Sequence, residues 1–415
     1  MFFILSAIFF ALGLFYKRTV VIFLFLIVAF VFGNGFSNLY YKYGLYAYDF
    51  YFLSFIVMFF YNSIVGREKI YNTNLAIPIV MIIVYVLFSA VYTELDKYFV
   101  RDFRLLLFLL ECFVVYQVCR MSSGINSKVV MSLVIVASFS NIIYWWLSSF
   151  GLIGYSDVYY NDNKFRYFDL STYICSVYIV FSPLFLFKFY LNKIDIISFS
   201  LAVLCVLVSG SRMVVLVSIF FFMFVYVSNI KKLVLGGVFL VGSFFIIYLK
   251  GLDGDLLTRV SDLSFDVIKH HLEIRYSPFF DLVQDFELYN FVFGRGFGTT
   301  FFIPWFEYRS DNLVPVNNFI DTTYFTLFAK FGVLSLVFIY FYIRLAITVL
   351  SSVTALKPKV CLVLYLLCLM FVYAIPYQSS AIGIFIGLLL VFFRLSEVRT
   401  IKSSIRVNMT QKAVL

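Results

Sequence analysis

Long apolar runs separated by short polar connections make up most of the chain. An apolar run of about 15–25 residues suits a helix that crosses a bilayer, so the pattern predicts about thirteen transmembrane helices, within a range of 12–14. The sequence leaves open whether the first run crosses, because it is short. The predicted spans are approximately 2–16, 19–33, 48–65, 75–92, 103–119, 129–149, 168–190, 195–209, 212–228, 233–250, 321–346, 359–375 and 379–394.

Basic residues collect in alternate connections between these runs. Because lysine and arginine are enriched in cytoplasmic loops, the alternation places these connections and the C-terminal tail in the cytoplasm. The intervening connections are acidic, mixed or aromatic and are predicted to lie outside. The basic set includes Lys17, Arg18, Arg67, Lys69, Arg120, Lys128, Lys188, Lys193, Lys231, Lys232, Lys357 and Lys359.

One outer connection is much longer than the rest. Residues 251–320 form a polar stretch with the apolar spacing of amphipathic helices, and long connections in compact proteins usually carry function. The predicted organisation is therefore an N-terminal set of transmembrane helices (1–250), this large outer loop (251–320), C-terminal transmembrane helices (321–394) and a cytoplasmic tail (395–415).

Composition supports an all-α polytopic membrane protein. Of the 415 residues, 63% are hydrophobic and only 13% are charged, which excludes an ordinary soluble domain. The net charge of +10 follows from the cytoplasmic loops and calls for no nucleic acid. The six cysteines lie in apolar runs without metal-ligand spacing, so neither disulfides nor a metal site is predicted.

An isolated arginine stands in the apolar stretch VLVSGSRMVVLV. Arg212 follows a Ser-Gly-Ser turn between two spans of about 15 residues each, on the predicted outer side. It could extend its guanidinium to the membrane surface, or it could bind an anion, because the guanidinium matches phosphate geometry.

Further candidates follow in the outer loop and the helix after it. The run GRGFGTT begins at Gly294 and predicts either a plain glycine turn or one whose backbone N–H groups approach a ligand. Asp321 opens the next apolar span, where it could cap the helix or act as a general base. Glu111 and Lys330 lie deeper, and a buried pair between them would be a structural explanation for both.

Three of these patterns together resemble bacterial O-antigen polymerases (Wzy) and the related O-antigen ligases. SGSRMVVL, from Ser209, resembles the family's SGSR turn between two spans. Arg275 and Phe279 followed by the glycine turn are similar to the arginine–aromatic–GxG pattern of the large periplasmic loop. DTTYFTLFAKFG, from Asp321, looks like the pattern that opens the helix after that loop. The resemblance covers roughly residues 205–340. The sequence departs from it in two places: ligases usually carry histidine where Asp321 stands, and Thr322 replaces the family's usual asparagine.

The resemblance implies a GT-C-like, inverting and metal-independent membrane glycosyltransferase without a cofactor. It would join oligosaccharide repeat units carried on undecaprenyl pyrophosphate at the periplasmic face of the bacterial inner membrane. Its partners would be the lipid-linked donor and acceptor, membrane lipid and a protein that regulates chain length. The implied catalytic residues are Asp321 as base and Arg212 and Arg275 as phosphate ligands. The implied substrate-binding residues are Arg295, Gly296, Gly298, Tyr324, Arg309 and Arg166.

Two other functions stay open from the sequence. An O-antigen ligase would share the architecture, and Asp321 favours the polymerase. A flippase or transporter of lipid-linked oligosaccharides would also suit 12–14 spans, but transporters usually show two similar halves, and no such repeat is evident. A non-catalytic scaffold would not need arginines at three separate outer positions.

Overall fold

The computed structural model describes residues 2–26, 28, 41–42, 45–66, 76–92, 95–121, 127–149, 170–185, 193–209, 212–226, 237, 265–304, 315–340, 343, 356–372, 383 and 387. The described part is mostly α-helical, which confirms the all-α expectation. Most of the predicted spans of the described part coincide with a helix. The predicted spans 233–250 and 379–394 lie almost entirely outside the described residues.

The helices follow the apolar runs closely. Their bounds are α1 (Phe2–Leu14), α2 (Tyr16–Leu26), α3 (Asp49–Ile64), α4 (Ala76–Tyr92), α5 (Lys97–Met121), α6 (Ser127–Ser149), α7 (Leu170–Phe185), α8 (Lys193–Val208), α9 (Arg212–Tyr226), α10 (Phe265–Gln284), α11 (Leu288–Phe293), α12 (Thr323–Phe331) and α13 (Leu356–Val372). A single 3-10 turn, Gly332–Leu334, follows α12, and the chain continues as helix to Tyr340.

The described residues include two short antiparallel ladders beside the helices. Strand β1 (Tyr41–Lys42) pairs with β2 (Leu45–Tyr46), and β3 (Phe301–Phe302) pairs with β4 (Val316–Asn317). The second ladder brings the two ends of residues 303–315 together, so it places the chain entering α12 beside the chain leaving the glycine turn.

Within the described residues, helix packing builds a large apolar core and, around α10, a smaller one. Helix α1 packs on α3, α8 on α6 and α7, and α9 on α7 and α13. The smaller core joins α10 to the ladder β3–β4 and to α12 through Phe279, Phe301, Ile303, Ile320 and Ala329. This smaller core fixes α10, which belongs to the long connection 251–320, against the start of α12.

Several helices turn large apolar side chains outward. On α4 the exposed residues Val80, Val84, Leu87 and Val91 lie three or four positions apart, so they form one continuous face. Their exposed fractions are 57%, 58%, 66% and 77%. Among the described residues, one helix, Thr323–Tyr340, is long and apolar enough to cross a membrane, and others are apolar but shorter.

Candidate functional site

Arg275 and Asp321, which the sequence places 46 positions apart, meet at the junction of α10 and α12. The Arg275 Nε atom lies 3.7 Å from Asp321 Oδ2, and the two side chains are 43% and 44% exposed. A pair that is this accessible can exchange its partner for a bound ligand at little cost, because exposed ion pairs contribute only about 0–1 kcal/mol. The structure therefore joins two of the three predicted catalytic residues in one accessible site.

Aromatic contacts hold the two helices in this arrangement. The rings of Phe279 and Phe325 stack with centroids 4.4 Å apart, and Tyr276 meets Phe325 edge-on at 5.1 Å. Each aromatic pair adds about 0.5–1.5 kcal/mol beyond the apolar area that it buries. Tyr276 and Phe279 follow Arg275 in α10. Their contacts with Phe325 therefore hold the guanidinium beside Asp321, two residues before α12.

The position of Asp321 differs from the helix-capping alternative. Helix α12 begins at Thr323, its N-cap residue is Thr322, and no side chain makes the capping hydrogen bond. The backbone is instead supported by Thr326, whose hydroxyl donates to the Thr322 carbonyl at 2.8 Å and accepts from the Ile320 N–H at 3.2 Å. The Asp321 carboxylate is thus directed to Arg275 and carries none of the capping.

Tyr276 belongs to the same site and was missed from the sequence. Partial burial raises the pKa of its phenol above the ordinary value; the Asp321 carboxylate acts in the same direction and Arg275 in the opposite one. A phenol with a raised pKa stays protonated at neutral pH and can donate a hydrogen bond. Its place directly after Arg275 is the one sequence signal that could have pointed to it.

Beneath this site lies a fully buried ion pair between Asp102 of α5 and Lys330 of α12. Lys330 Nζ donates to Asp102 Oδ2 at 2.5 Å and to the Thr299 carbonyl at 3.0 Å, and both charged side chains are 0% exposed. Asp102 also accepts from Asn318 Nδ2 at 2.7 Å and from the Gly298 N–H at 2.8 Å. Lys330 thus has a buried partner, but that partner is Asp102, whereas Glu111 was the partner considered from the sequence.

The glycine turn Gly294–Gly298 is held by backbone hydrogen bonds from its own N–H groups. The N–H groups of Arg295 and Gly296 donate to the Ala329 and Lys330 carbonyls at the C-terminal end of α12, both at 2.9 Å. The next two, Phe297 and Gly298, donate to Ser89 Oγ at 3.1 Å and to Asp102. These four N–H groups bind protein atoms, so this geometry gives Gly296 and Gly298 a structural role and does not support the prediction that they bind substrate.

Two glycines are required here by close approach. Gly294 has φ of 71°, and a Cβ atom on it would lie 2.2 Å from the Lys330 carbonyl carbon. Gly332 has φ of 56°, and a Cβ atom there would lie 2.4 Å from the Phe291 carbonyl oxygen. Any side chain at either position would force α11 and α12 apart and would also strain the backbone.

Two further candidates are engaged within the protein. The Arg295 Nη2 atom donates to the backbone carbonyl of Asp285 at 3.2 Å and lies 3.9 Å from the Asp285 carboxylate. The Arg295 guanidinium also lies over the Phe286 ring. The Tyr324 hydroxyl donates to the Leu367 carbonyl of α13 at 2.8 Å. These contacts position the loop and α12, and they differ from the substrate-binding roles expected of Arg295 and Tyr324.

The side chains of the three remaining candidates lie outside the described residues. Arg212 is the first residue of α9, but its side chain lies outside the described part. Arg166 and Arg309 also lie outside the described residues. Within the described ranges, no group of three or more His, Cys, Asp or Glu side chains could hold a metal ion.

Comparison with known proteins adds the family. A family of unknown function, DUF6369, matches residues 23–404, which is nearly the whole chain. The chain belongs to DUF6369. No curated protein and no solved structure matches it. The DUF6369 match includes α10, the glycine turn and α12, so the junction of Arg275 with Asp321 lies inside the part that defines the family.

Proposed function

We propose that this DUF6369 protein is a surface-polysaccharide polymerase of the O-antigen type, a multi-pass enzyme of the bacterial inner membrane. In this proposal about thirteen helices form a GT-C-like transmembrane body, and the loop 251–320 lies on the periplasmic face. The enzyme would join repeat units carried on undecaprenyl pyrophosphate by inverting, metal-independent glycosyl transfer. The sequence resemblance supports the class of reaction, and the geometry supports the choice of residues.

The distribution of side chains favours a membrane location. The α4 face with Val80, Val84, Leu87 and Val91 turns apolar side chains outward, whereas Asp102 and Lys330 are fully buried. In water such an apolar face would be unfavourable at about 25 cal/mol per Å² of exposed apolar surface. A bilayer removes that penalty, and it also explains why the charged groups pair inside the protein.

The single observation that carries the proposed chemistry is the accessible pair Arg275–Asp321. A glycosyl transfer from a lipid diphosphate needs a group that accepts the proton of the acceptor hydroxyl and a cation that stabilises the departing diphosphate. Asp321 and Arg275 supply one of each within 3.7 Å. Arg212, in the SGSR turn, would supply a second cation.

The proposed reaction is a direct displacement at an anomeric carbon. A hydroxyl of the single lipid-linked repeat unit attacks the anomeric carbon at the reducing end of the growing chain, and Asp321 accepts the hydroxyl proton. The bond between that carbon and the diphosphate oxygen breaks with its electron pair on oxygen. Undecaprenyl pyrophosphate leaves while Arg275 and Arg212 stabilise its charge. Attack from the face opposite the leaving group inverts the anomeric configuration.

Deletion of the gene tests this class of function against its rivals. The lipid-linked glycans of the deletion strain should accumulate as single repeat units facing the periplasm, and a plasmid copy should restore long chains. Full-length chains that stay on the lipid carrier would indicate a ligase. Single units confined to the cytoplasmic leaflet would indicate a flippase, and either result would overturn the proposal.

A further inference from the structure

The segment Asp285–Arg295 is a loop whose two ends meet. Asp285 and Arg295 form its charged base, here called the neck, and the apolar helix between them forms its tip. At the neck, Arg295 Nη2 donates to the Asp285 carbonyl and lies 3.9 Å from its carboxylate. The tip is helix α11, Leu288–Phe293. A helix at a protein surface in water usually buries its apolar side chains and exposes its polar ones. Helix α11 does the opposite, because Asn290 is buried while the apolar side chains of the helix face out.

The exposure of the tip is high. Leu288 is 84% exposed and Val292 is 41% exposed. Tyr289, Phe291 and Phe293 are exposed as well. Five large apolar side chains turned outward from six residues form a patch that is unfavourable in water and typical of a surface with an apolar partner.

Contacts with α4 and α12 give the position of this loop. Two residues after the neck, the Phe297 N–H donates to Ser89 Oγ of α4. The tip end lies beside Tyr85, whose hydroxyl donates to the Phe293 carbonyl. Since α4 ends at Tyr92, Tyr85 lies about 10 Å along the helix from that end, at 1.5 Å per residue. The end of α11 therefore lies farther from the Tyr92 end of α4, which is its predicted outer end, than the turn that follows the neck.

The tip also continues an apolar surface. On one side it adjoins α4, which exposes Val84, Leu87 and Val91. On the other side it packs on the turn at Gly332, beyond which Val333 and Leu336 are exposed at 50% and 61%. The patch is thus part of the same outward face as the helices that we propose to cross the bilayer.

We infer that Asp285–Arg295 is a re-entrant segment whose apolar tip inserts among the acyl chains of the outer leaflet, with its charged neck at the headgroups. This inference rests on the proposed membrane location. Backbone that enters a bilayer must be hydrogen-bonded, and α11 meets this need through its own helix and through Tyr85. The insertion would anchor the C-terminal end of α10 in the membrane. It would thereby hold Arg275 at the depth of a lipid diphosphate.

Thiol labelling tests the inference in intact spheroplasts. In a background with the native cysteines replaced, Leu288→Cys and Val292→Cys are compared with the water-facing control Asp281→Cys, on exposed α10, and the lipid-facing control Val84→Cys. With a charged, impermeant maleimide, the thiols of Leu288→Cys and Val292→Cys should react at least tenfold more slowly than that of Asp281→Cys, as should the thiol of Val84→Cys. All should react after denaturation.

The outcomes separate this inference from the proposed membrane location. If the two tip variants react within twofold of Asp281→Cys while Val84→Cys stays protected, the segment lies in water and the inference fails, but the transmembrane body stands. If the thiol of Val84→Cys reacts as fast as the others, the membrane location itself fails.

A second measurement identifies what covers the tip. Nitroxide labels on Leu288→Cys and Val292→Cys, in vesicles of phosphatidylethanolamine and phosphatidylglycerol, should relax faster with oxygen than with a water-soluble nickel chelate. Faster relaxation with the nickel chelate would indicate water. Protection from both agents would indicate a covering protein surface, and either result would overturn insertion into lipid.

Discussion

Arg275 Nε of α10 lies 3.7 Å from Asp321 Oδ2 at the entry to α12, although the glycine turn and the ladder β3–β4 separate them along the chain. The pair is nearly half-exposed, whereas the ion pair beneath it, Asp102–Lys330, is completely buried. An accessible pair can open for a ligand, and a buried pair cannot open without leaving a charge unsolvated. The two pairs therefore serve different purposes in adjacent positions.

Replacement of Asp321 by asparagine should abolish polymer formation while the protein accumulates normally. The amide keeps the size of the side chain but accepts no proton, and helix α12 should keep its stability because Asp321 makes no capping hydrogen bond. Polymer length on gels and protein level on immunoblots check this. The matched control is Asp281→Asn, an exposed carboxylate of α10, which should give wild-type chains. Normal chains from Asp321→Asn would remove this residue from the mechanism.

Replacement of Arg275 by lysine should reduce the rate by about 10–150-fold, the equivalent of one charge-assisted hydrogen bond of roughly 1.5–3 kcal/mol. Lysine keeps the charge but loses the planar fork that fits a diphosphate. Initial rates with purified protein and lipid-linked repeats measure the change. Arg295→Lys is the comparison, because Arg295 is engaged with Asp285 and should have a much smaller effect on the rate. Equal effects of the two variants would contradict the distinction between them.

Arg212 is tested by a pair of variants. If it binds the donor diphosphate, Arg212→Ala should abolish polymerisation and Arg212→Lys should retain partial activity with weaker use of the donor. An arginine that only extends to the membrane surface should tolerate both changes. Rates at several donor concentrations, at equal protein level, separate the two cases. Activity within about twofold of wild type for both variants would exclude a role in phosphate binding.

The sequence allowed much of the helical fold to be predicted, because the length and spacing of apolar runs are a one-dimensional signal. Runs such as 48–65 and 75–92 became α3 and α4 with nearly the same ends. The resemblance predicts that Arg275 and Asp321 belong to one site, but it does not predict the contact between them. Their distance depends on how Phe279 and Phe325 stack. Tertiary packing sets that geometry, and spacing along the chain does not encode it.

The partner of Lys330 shows where sequence reasoning fails. Glu111 and Lys330 both lie deep in apolar runs, which made them natural partners by depth. Asp102 lies just before the predicted span 103–119, so depth along the apolar runs does not pair it with Lys330. The Lys330 side chain reaches Asp102 because the glycine turn brings Gly298 and Thr299 to the same place. Long-range pairings of this kind depend on a turn whose path cannot be deduced from periodicity.

The buried pair should govern stability and have little direct part in the chemistry. Asp102→Asn or Lys330→Met alone leaves an uncompensated buried charge and should destabilise the protein by about 3–5 kcal/mol. The double variant removes both charges and should recover much of that loss. Thermal unfolding of the three variants in detergent measures the effect. Full additivity of the two single losses in the double variant would mean that the side chains do not interact.

Reconstitution in vesicles shows directly whether this protein joins lipid-linked repeat units. Purified full-length protein in vesicles is supplied with undecaprenyl-pyrophosphate-linked single units from the deletion strain, with Asp321→Asn as the inactive control. The predicted result is a ladder of products that differ by one repeat unit, with one undecaprenyl pyrophosphate released for each bond formed. If the wild-type protein leaves only single units, or moves them across the bilayer without joining them, the proposed polymerase activity is contradicted.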